Sequence, residues 1–254
     1  MSGGPVLCAF DASEPSLLAA YAAADLAEQL QSELELVYVV DHDDLPALPP
    51  HGAGIDPYVR DALPQIQEQI AEDAACAHLR AALSALPEGN VTGSVLTGLP
   101  AHAICQRAVD TGAALVVCGT AARHGLQRLL HASVAGSLAT DAPCPVVVVP
   151  PSAALREPGP VLVGDDGSEH GDRAVRHGEA LAARIGRPLQ RLRVEHGSAA
   201  EALAEAARAE RAYVAVVGAR GRGALREQLF GSVSAELVRT GGRPVMVVGG
   251  HTGT

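Results

Sequence analysis

A chain of 254 residues leaves room for one or two domains, and with 48% hydrophobic residues it can bury a sizeable core. Aromatics are only 2%, so that core has to be built from alanine, valine and leucine. A formal net charge of −10 argues against binding nucleic-acid polymers or anionic membranes through a general field. All 19 basic residues are arginine, which excludes Schiff-base, P-loop and kinase-type lysines.

Val6 to Phe10 is a short apolar run, the signal of a buried strand. Leu18, Ala22, Leu26 and Leu30 recur every four residues and mark one face of a helix with Pro15 in its first turn. Leu34 to Val40 is a second strand, and the Asp41-His-Asp-Asp44 cluster after it reads as a hydrated loop rather than a metal site. Asp56-Pro57 starts a helical region reaching about Leu86, with Pro64 as a kink or restart. Val91 to Leu96 is a third strand and Ala101 to Asp110 a helix. Leu115 to Cys118, a helix from about Gln127 to Thr140, and the strand Val146 to Val149 complete this stretch. Strands alternating with helices predict a parallel, doubly wound α/β sheet.

The chain is then written again. Pro5-Val-Leu7 with Asp11-Ala-Ser13 recurs as Pro160-Val-Leu162 with Asp166-Gly-Ser168, an offset of 155 that holds through Val39 and Val194. Later the offset is 99, aligning Gly119 with Gly218, Ser133 with Ser232 and Pro145 with Pro244. The second copy therefore lacks 56 residues, corresponding roughly to 41–96, and so omits the second helix and third strand. A proline-rich linker, Pro150 to Pro160, separates the copies, giving domains of 1–150 and 158–254.

Cysteines 8, 76, 105, 118 and 144 lack CxxC spacing and read as core thiols of a reducing compartment. No basic segment followed by an apolar run opens the chain, and no apolar run approaches the roughly 20 residues of a membrane helix. A soluble cytoplasmic protein is expected. Ser2-Gly-Gly4 precedes the first strand instead of following it, so it is not a phosphate loop. No nucleophile–base–acid arrangement and no GxSxG elbow is readable, which predicts neither catalytic nor metal-binding residues.

The informative stretch is Gly218-Ala-Arg-Gly-Arg222, which follows the strand Val214 to Val217, where a doubly wound sheet puts its ligands. Gly218 and Gly221 permit close approach of backbone N–H groups to an anion, and Arg220 and Arg222 can contact phosphate. Gly231-Ser-Val233 opens or interrupts the last helix, where free N–H groups and the dipole favour a phosphate. Plain turn and packing glycines remain an alternative reading of the same positions. So do helix caps for Asp11 and Asp166.

The G-x2-G-x9-G-S spacing, joined to Val161-Leu-Val-Gly-Asp-Asp-Gly-Ser168 and to the closing Pro244-Val-Met-Val-Val248, resembles the universal stress protein family, in tandem. The resemblance implies five-stranded parallel sheets of order 3-2-1-4-5, the second truncated, and ATP binding, with or without Mg2+. It further implies that Asp166, ending its strand, contacts adenine and that Val194 lines the base pocket. Gly218, Gly221, Gly231 and Ser232 would hold the phosphates, with Val233 beside the ribose-phosphate. The closing strands would pair antiparallel within the chain as a pseudo-dimer, with a homodimer of chains as a further level. Copy one carries Ala122 and Ala132 where glycines should fall, so its cradle is expected to be closed, with Asp11 and Ser133 as remnants. The leading expectation is an ATP-binding stress-response regulator that is not an enzyme. A nucleotide-free oligomerisation or partner-binding module and a slow ATPase stand beside it.

Overall fold

Runs of β-branched residues and alanine-rich helices alternate along the chain, and each run finds its place in one sheet. The computed structural model describes residues 3–41, 45, 57–120, 133–193, 198–219 and 232–249, with only the backbone for 57–61 and 232. The first repeat comprises β1 (Val6–Phe10), α1 (Glu14–Leu30), β2 (Leu34–Val40), α2 (Pro57–Ala85), β3 (Val91–Thr97), α3 (Pro100–Thr111), β4 (Leu115–Gly119), α4 (Val134–Asp141) and β5 (Val146–Val149). The second comprises β6 (Val161–Gly164), α5 (Glu169–Arg184), β7 (Leu189–Leu192), α6 (Ala199–Ala209), β8 (Val214–Gly218), α7 (Ser232–Thr240) and β9 (Val245–Val248).

The strands lie in the order β3-β2-β1-β4-β5-β9-β8-β6-β7. The first half has the expected 3-2-1-4-5 order, and the second is the same sheet without its third strand. Registers repeat as the sequence does. Val6 faces Leu34 and Leu115, while Val161 faces Leu189 and Val214, the same positions shifted by the two offsets.

The expected antiparallel pairing of the closing strands is present between β5 and β9, and it merges the two expected sheets into one mixed sheet of nine strands. Val147 faces Met246, its own equivalent in the other repeat, so a local two-fold passes through that pair. Helices α1, α2 and α5 cover one face of the sheet, and α3, α4, α6 and α7 the other. With few aromatics, tight packing comes from small residues: Ala19, Ala20 and Ala23 of α1 are fully buried and let the helix sit close to the strands.

Pro64 lies inside an uninterrupted α2, so the helix does not restart there. It removes one backbone hydrogen bond near the start of a 29-residue helix. Of the helix expected from Gln127, residues 133 onward are described, and α4 begins at Val134.

A polar cluster that the repeat pattern does not announce fastens the two halves. The Tyr213 hydroxyl, just before β8, donates to Asp25 Oδ2 of α1 at 2.7 Å, and Arg156 of the linker approaches Asp25 Oδ1 at 3.2 Å. The Arg187 guanidinium lies 4.2 Å above the Tyr213 ring while donating to the carbonyls of Glu157 and Gly159. The Glu157 carboxylate accepts from Arg211 at 2.7 Å and meets Arg243 at 3.1 Å. Burial pushes the Tyr213 phenol well above its ordinary value, the Asp25 carboxylate raises it further, and Arg187 and Arg156 pull back.

Removing Asp25 strands a buried hydroxyl, so Asp25→Ala should lower unfolding stability by about 1–3 kcal/mol in urea titrations. The pair should show coupling in a double-mutant cycle with Tyr213→Phe. A phenol whose folded pKa is raised supplies stability below the unfolded value, near 10, and that stability drains away as pH rises beyond it. The wild type should therefore lose stability above about pH 10 more steeply than Tyr213→Phe.

Candidate functional site

Each repeat reverses its strand order between its first and fourth strands, and the crevice beyond their carboxyl ends is where such sheets bind ligands. In the second repeat that crevice lies past β6 and β8. β6 ends at Gly164, so Asp166 sits two residues beyond the strand instead of ending it.

The first-strand turns of both repeats are built alike. Ser13 and Ser168 are the N-caps of α1 and α5, their hydroxyls accepting from the N–H of Ser16 at 3.3 Å and Gly171 at 3.1 Å. Asp11 and Asp166 stand behind them, each Oδ1 accepting from the serine N–H at 3.0 Å and from its hydroxyl at 2.5 and 2.6 Å. The middle residue of both turns has positive φ, 62° at Ala12 and 66° at Gly167. Glycine takes that conformation without the Cβ penalty alanine meets. The caps are thus the serines, and the aspartates orient them. The twice-written Asp-x-Ser is the signal that could have found this.

Above the turn the repeats diverge. A Cβ on Gly171 would lie 2.4 Å from Asp166 Oδ1, so glycine is what lets that carboxylate fold in over the first turn of α5. Ser16 holds the equivalent position in the first repeat, its hydroxyl donating to Ser13 O and accepting from Asp11 N–H. Asp11 is exposed there. Burial raises its pKa, but the hydrogen bonds from Ser13 and Ser16 outweigh that and hold the carboxyl below its ordinary value.

Gly218 closes β8 against the same turn. A Cβ there would fall 2.8 Å from the His170 carbonyl oxygen, and at Gly119, closing β4, 2.4 Å from that of Pro15. The next amide in each repeat is committed to the neighbouring strand: Ala219 N–H donates to Val248 O at 2.9 Å and Thr120 N–H to Val149 O at 3.2 Å. Gly218 therefore has a packing reason to be glycine whatever the crevice binds.

Helix α7 opens at Ser232, in line with Gly231-Ser-Val233 starting the last helix, and Val233 packs against the core beneath. In the first repeat Ser133 caps α4, its hydroxyl accepting from Gly136 N–H at 3.1 Å. Val194, Arg220, Gly221, Arg222 and Gly231 lie outside the described residues, as do Ala122 and Ala132 of the first copy. Of the sequence-predicted positions, Asp166 and Gly218 both border the first turn of α5, and α7 packs on β8.

Among the described residues no cluster of His, Cys, Asp or Glu could hold a metal ion, and no helix is long and apolar enough to cross a membrane. All five cysteines are free. Burial pushes the Cys118 and Cys144 thiols up to about 12 and Cys105 up to about 11, with Cys8 higher still. Cys8, Cys118 and Cys144 are buried as expected of core thiols, whereas Cys105 is half-buried and Cys76 exposed, which corrects that expectation for these two.

Fold and crevice define a tandem, doubly wound α/β protein. The model of the universal stress protein family matches residues 4–150 and 184–249. A universal stress protein of Methanocaldococcus jannaschii is 33% identical over 140 residues, covering 55% of this chain and 77% of that one. The chain belongs to the universal stress protein family. Over its full length it is similar in fold to a universal stress protein from Archaeoglobus fulgidus, with TM-score 0.63, 19% identity and 98% and 97% of the two chains covered. It is similar also to a functionally unknown protein from Pseudomonas aeruginosa PAO1, with TM-score 0.57, 15% identity and 97% and 92% covered.

If packing is what fixes these glycines, Gly218→Ala and Gly119→Ala should each cost about 1–3 kcal/mol of stability without any ligand present. Chemical denaturation of the two variants checks this. A glycine kept only for phosphate would leave ligand-free stability unchanged.

Proposed function

We propose that this is a stress-response regulatory protein that binds an adenine nucleotide, ATP with or without Mg2+, mainly in its second repeat, and that it is not an enzyme. The observation that carries the reading is that the second repeat keeps Gly221 and Gly231 where the first has Ala122 and Ala132, on the stretch that follows β8 at the strand-order reversal. The G-x2-G-x9-G-S spacing from Gly218 to Ser232 supports it, with backbone N–H groups and the α7 dipole for phosphate and Arg220 and Arg222 for the remaining charge. Asp166 accepts a donor from the base, and Val194 and Val233 flank the ligand. Residues 1–150 form the repeat with the degenerate motif and 158–254 the repeat that retains it. Five free thiols suit a reducing cytoplasm.

A second reading has an observation in its favour. The glycine at 218 and the carboxylate at 166 both have structural employment, so a nucleotide-free pairing module accounts for them equally well.

The deciding experiment is to denature the natively purified protein and chromatograph what is released. Adenine nucleotide should appear in near-stoichiometric amount from the wild type and be lost in Gly231→Ala. With ATP-Mg at 100 times its Kd, stability should rise by about 2.7 kcal/mol. Absence of nucleotide together with no thermal shift in millimolar ATP-Mg favours the pairing module, and steady loss of bound ATP to ADP favours the slow ATPase.

A further inference from the structure

The sheet ends in two edges, β3 and β7, and the two are built differently. β7 is four residues long, and the exposed Arg191 within it and Arg193 just beyond it set charge along that edge. Charges so placed keep an edge from pairing. β3 is seven residues long, Val-Thr-Gly-Ser-Val-Leu-Thr, with no charge, no proline and no break in its ladder with β2. Thr92, Gly93 and Thr97 are exposed along it. The bonds at its two ends fix which backbone groups are free. Asn90 C=O accepts from Leu34 N–H at 2.9 Å and Gly98 N–H donates to Val40 O at 3.0 Å, so the even-numbered residues face β2. Direction alternates along a strand, so Gly93, Val95 and Thr97 turn N–H and C=O outward, and Val91 its C=O.

We propose that β3 is a homodimer edge, on which β3 of a second copy of this chain pairs antiparallel about a two-fold at Ser94. Bond direction fits this register. Gly93 falls opposite the Val95 of the second copy and Val91 opposite its Thr97, so outward N–H groups meet outward carbonyls. Side chains fit as well. On the α2 face each Val95 lies beside the Gly93 of the other chain, and on the α3 face each Thr92 lies beside a Leu96. Ser94 meets its own mate. Its Oγ is buried with no hydrogen-bond partner within the chain, which calls for an explanation. Opposed residues of a non-hydrogen-bonded pair stand close enough for two hydroxyls to bond each other.

Charge agrees with the register. Neither strand carries a charged side chain, and the two exposed Glu88 residues fall at opposite ends of the seam, each towards the start of α3 in the other copy. That helix has Leu99 as its N-cap, 64% exposed and with no side-chain capping bond, so its free N–H groups favour a carboxylate. A parallel copy would set Glu88 on Glu88 and leave both helix starts without one. The missing 56 residues matter here too. Because the second repeat lacks the counterpart of β3, each chain offers this edge once, and pairing closes at two chains.

Sedimentation of the full chain over a range of concentrations tests the proposal, independently of any nucleotide. The wild type should reach twice the chain mass. Thr92→Arg/Thr97→Pro, at two exposed positions, sets a cation against Leu96 and removes an outward N–H while leaving the β2 ladder intact. It should weaken the dimer about 100-fold or more with unchanged circular dichroism. In a Cys76→Ser background, Ser94→Cys, on the two-fold, should crosslink between chains on diamide oxidation. Thr92→Cys should not, because its two copies lie about 14 Å apart along the strands, beyond disulfide reach. A wild type that stays monomeric, a double variant that stays dimeric, or crosslinking through Thr92→Cys in place of Ser94→Cys would each overturn it.

Discussion

The antiparallel pairing of β5 with β9 is the constraint on which the rest of this molecule depends. Each is the last strand of its own half-sheet, four residues long and almost wholly apolar, and all eight residues are buried. Left unpaired, either would present a row of free N–H and C=O groups flanked by valine, an invitation to edge-to-edge association. Joining them at Val147 and Met246 removes both edges at once and makes the two cores continuous on both faces of the sheet. It also reverses direction. β1 and β4 run parallel to β5, while β6 and β8 run parallel to β9, so the carboxyl ends of the two half-sheets point opposite ways. The two crevices therefore open in opposite directions along the sheet.

That separation explains how the repeats could diverge without unfolding. The missing helix and strand belong to the flank farthest from the pairing, where β3 is outermost in the first half and β7 takes that position in the second. Near the pairing, symmetry is broken in chemistry rather than backbone. Asp25 and Tyr213 join across the halves, but their counterparts are Ala180 and Ala114, which can form no such bond. One half of the dyad is polar and directional, the other merely packed. A linker that contributes Arg156 and Glu157 to the polar side ties the covalent connection to that asymmetry.

The elements were legible because hydrophobic period and repeat offset agree at every strand, and the offsets even carry the registers. Pro64 does not restart the helix, because a proline signals a lost bond, not how many neighbouring bonds remain to hold it. The Asp25–Tyr213 contact was invisible for a definite reason: the residues are 188 apart, and neither recurs at its repeat position. In the crevice, Asp166 and Gly218 were read as nucleotide contacts, and the structure gives each of them a role within the fold as well. The aspartate's attachment to the Ser168 cap and the close approach of His170 to Gly218 depend on packing between distant elements, which residue types alone do not encode.

The glycines acquire a different meaning once these contacts are considered. Gly119 and Gly218 occur in both repeats because each strand end lies against the first turn of a helix, where any side chain would strike a backbone carbonyl. Gly98, which has φ of 123° ahead of α3, is kept as Gly197 in the other copy. A glycine present in both copies therefore reports on the fold they share. Gly221 and Gly231 are different, because the first repeat accepts Ala122 and Ala132 at those positions and retains the same strands and closing helix around them. No demand of the common fold requires glycine there. The case for a ligand in the second repeat thus rests on the glycines the copies do not share, and Gly171, replaced by Ser16 in the first copy, belongs with them.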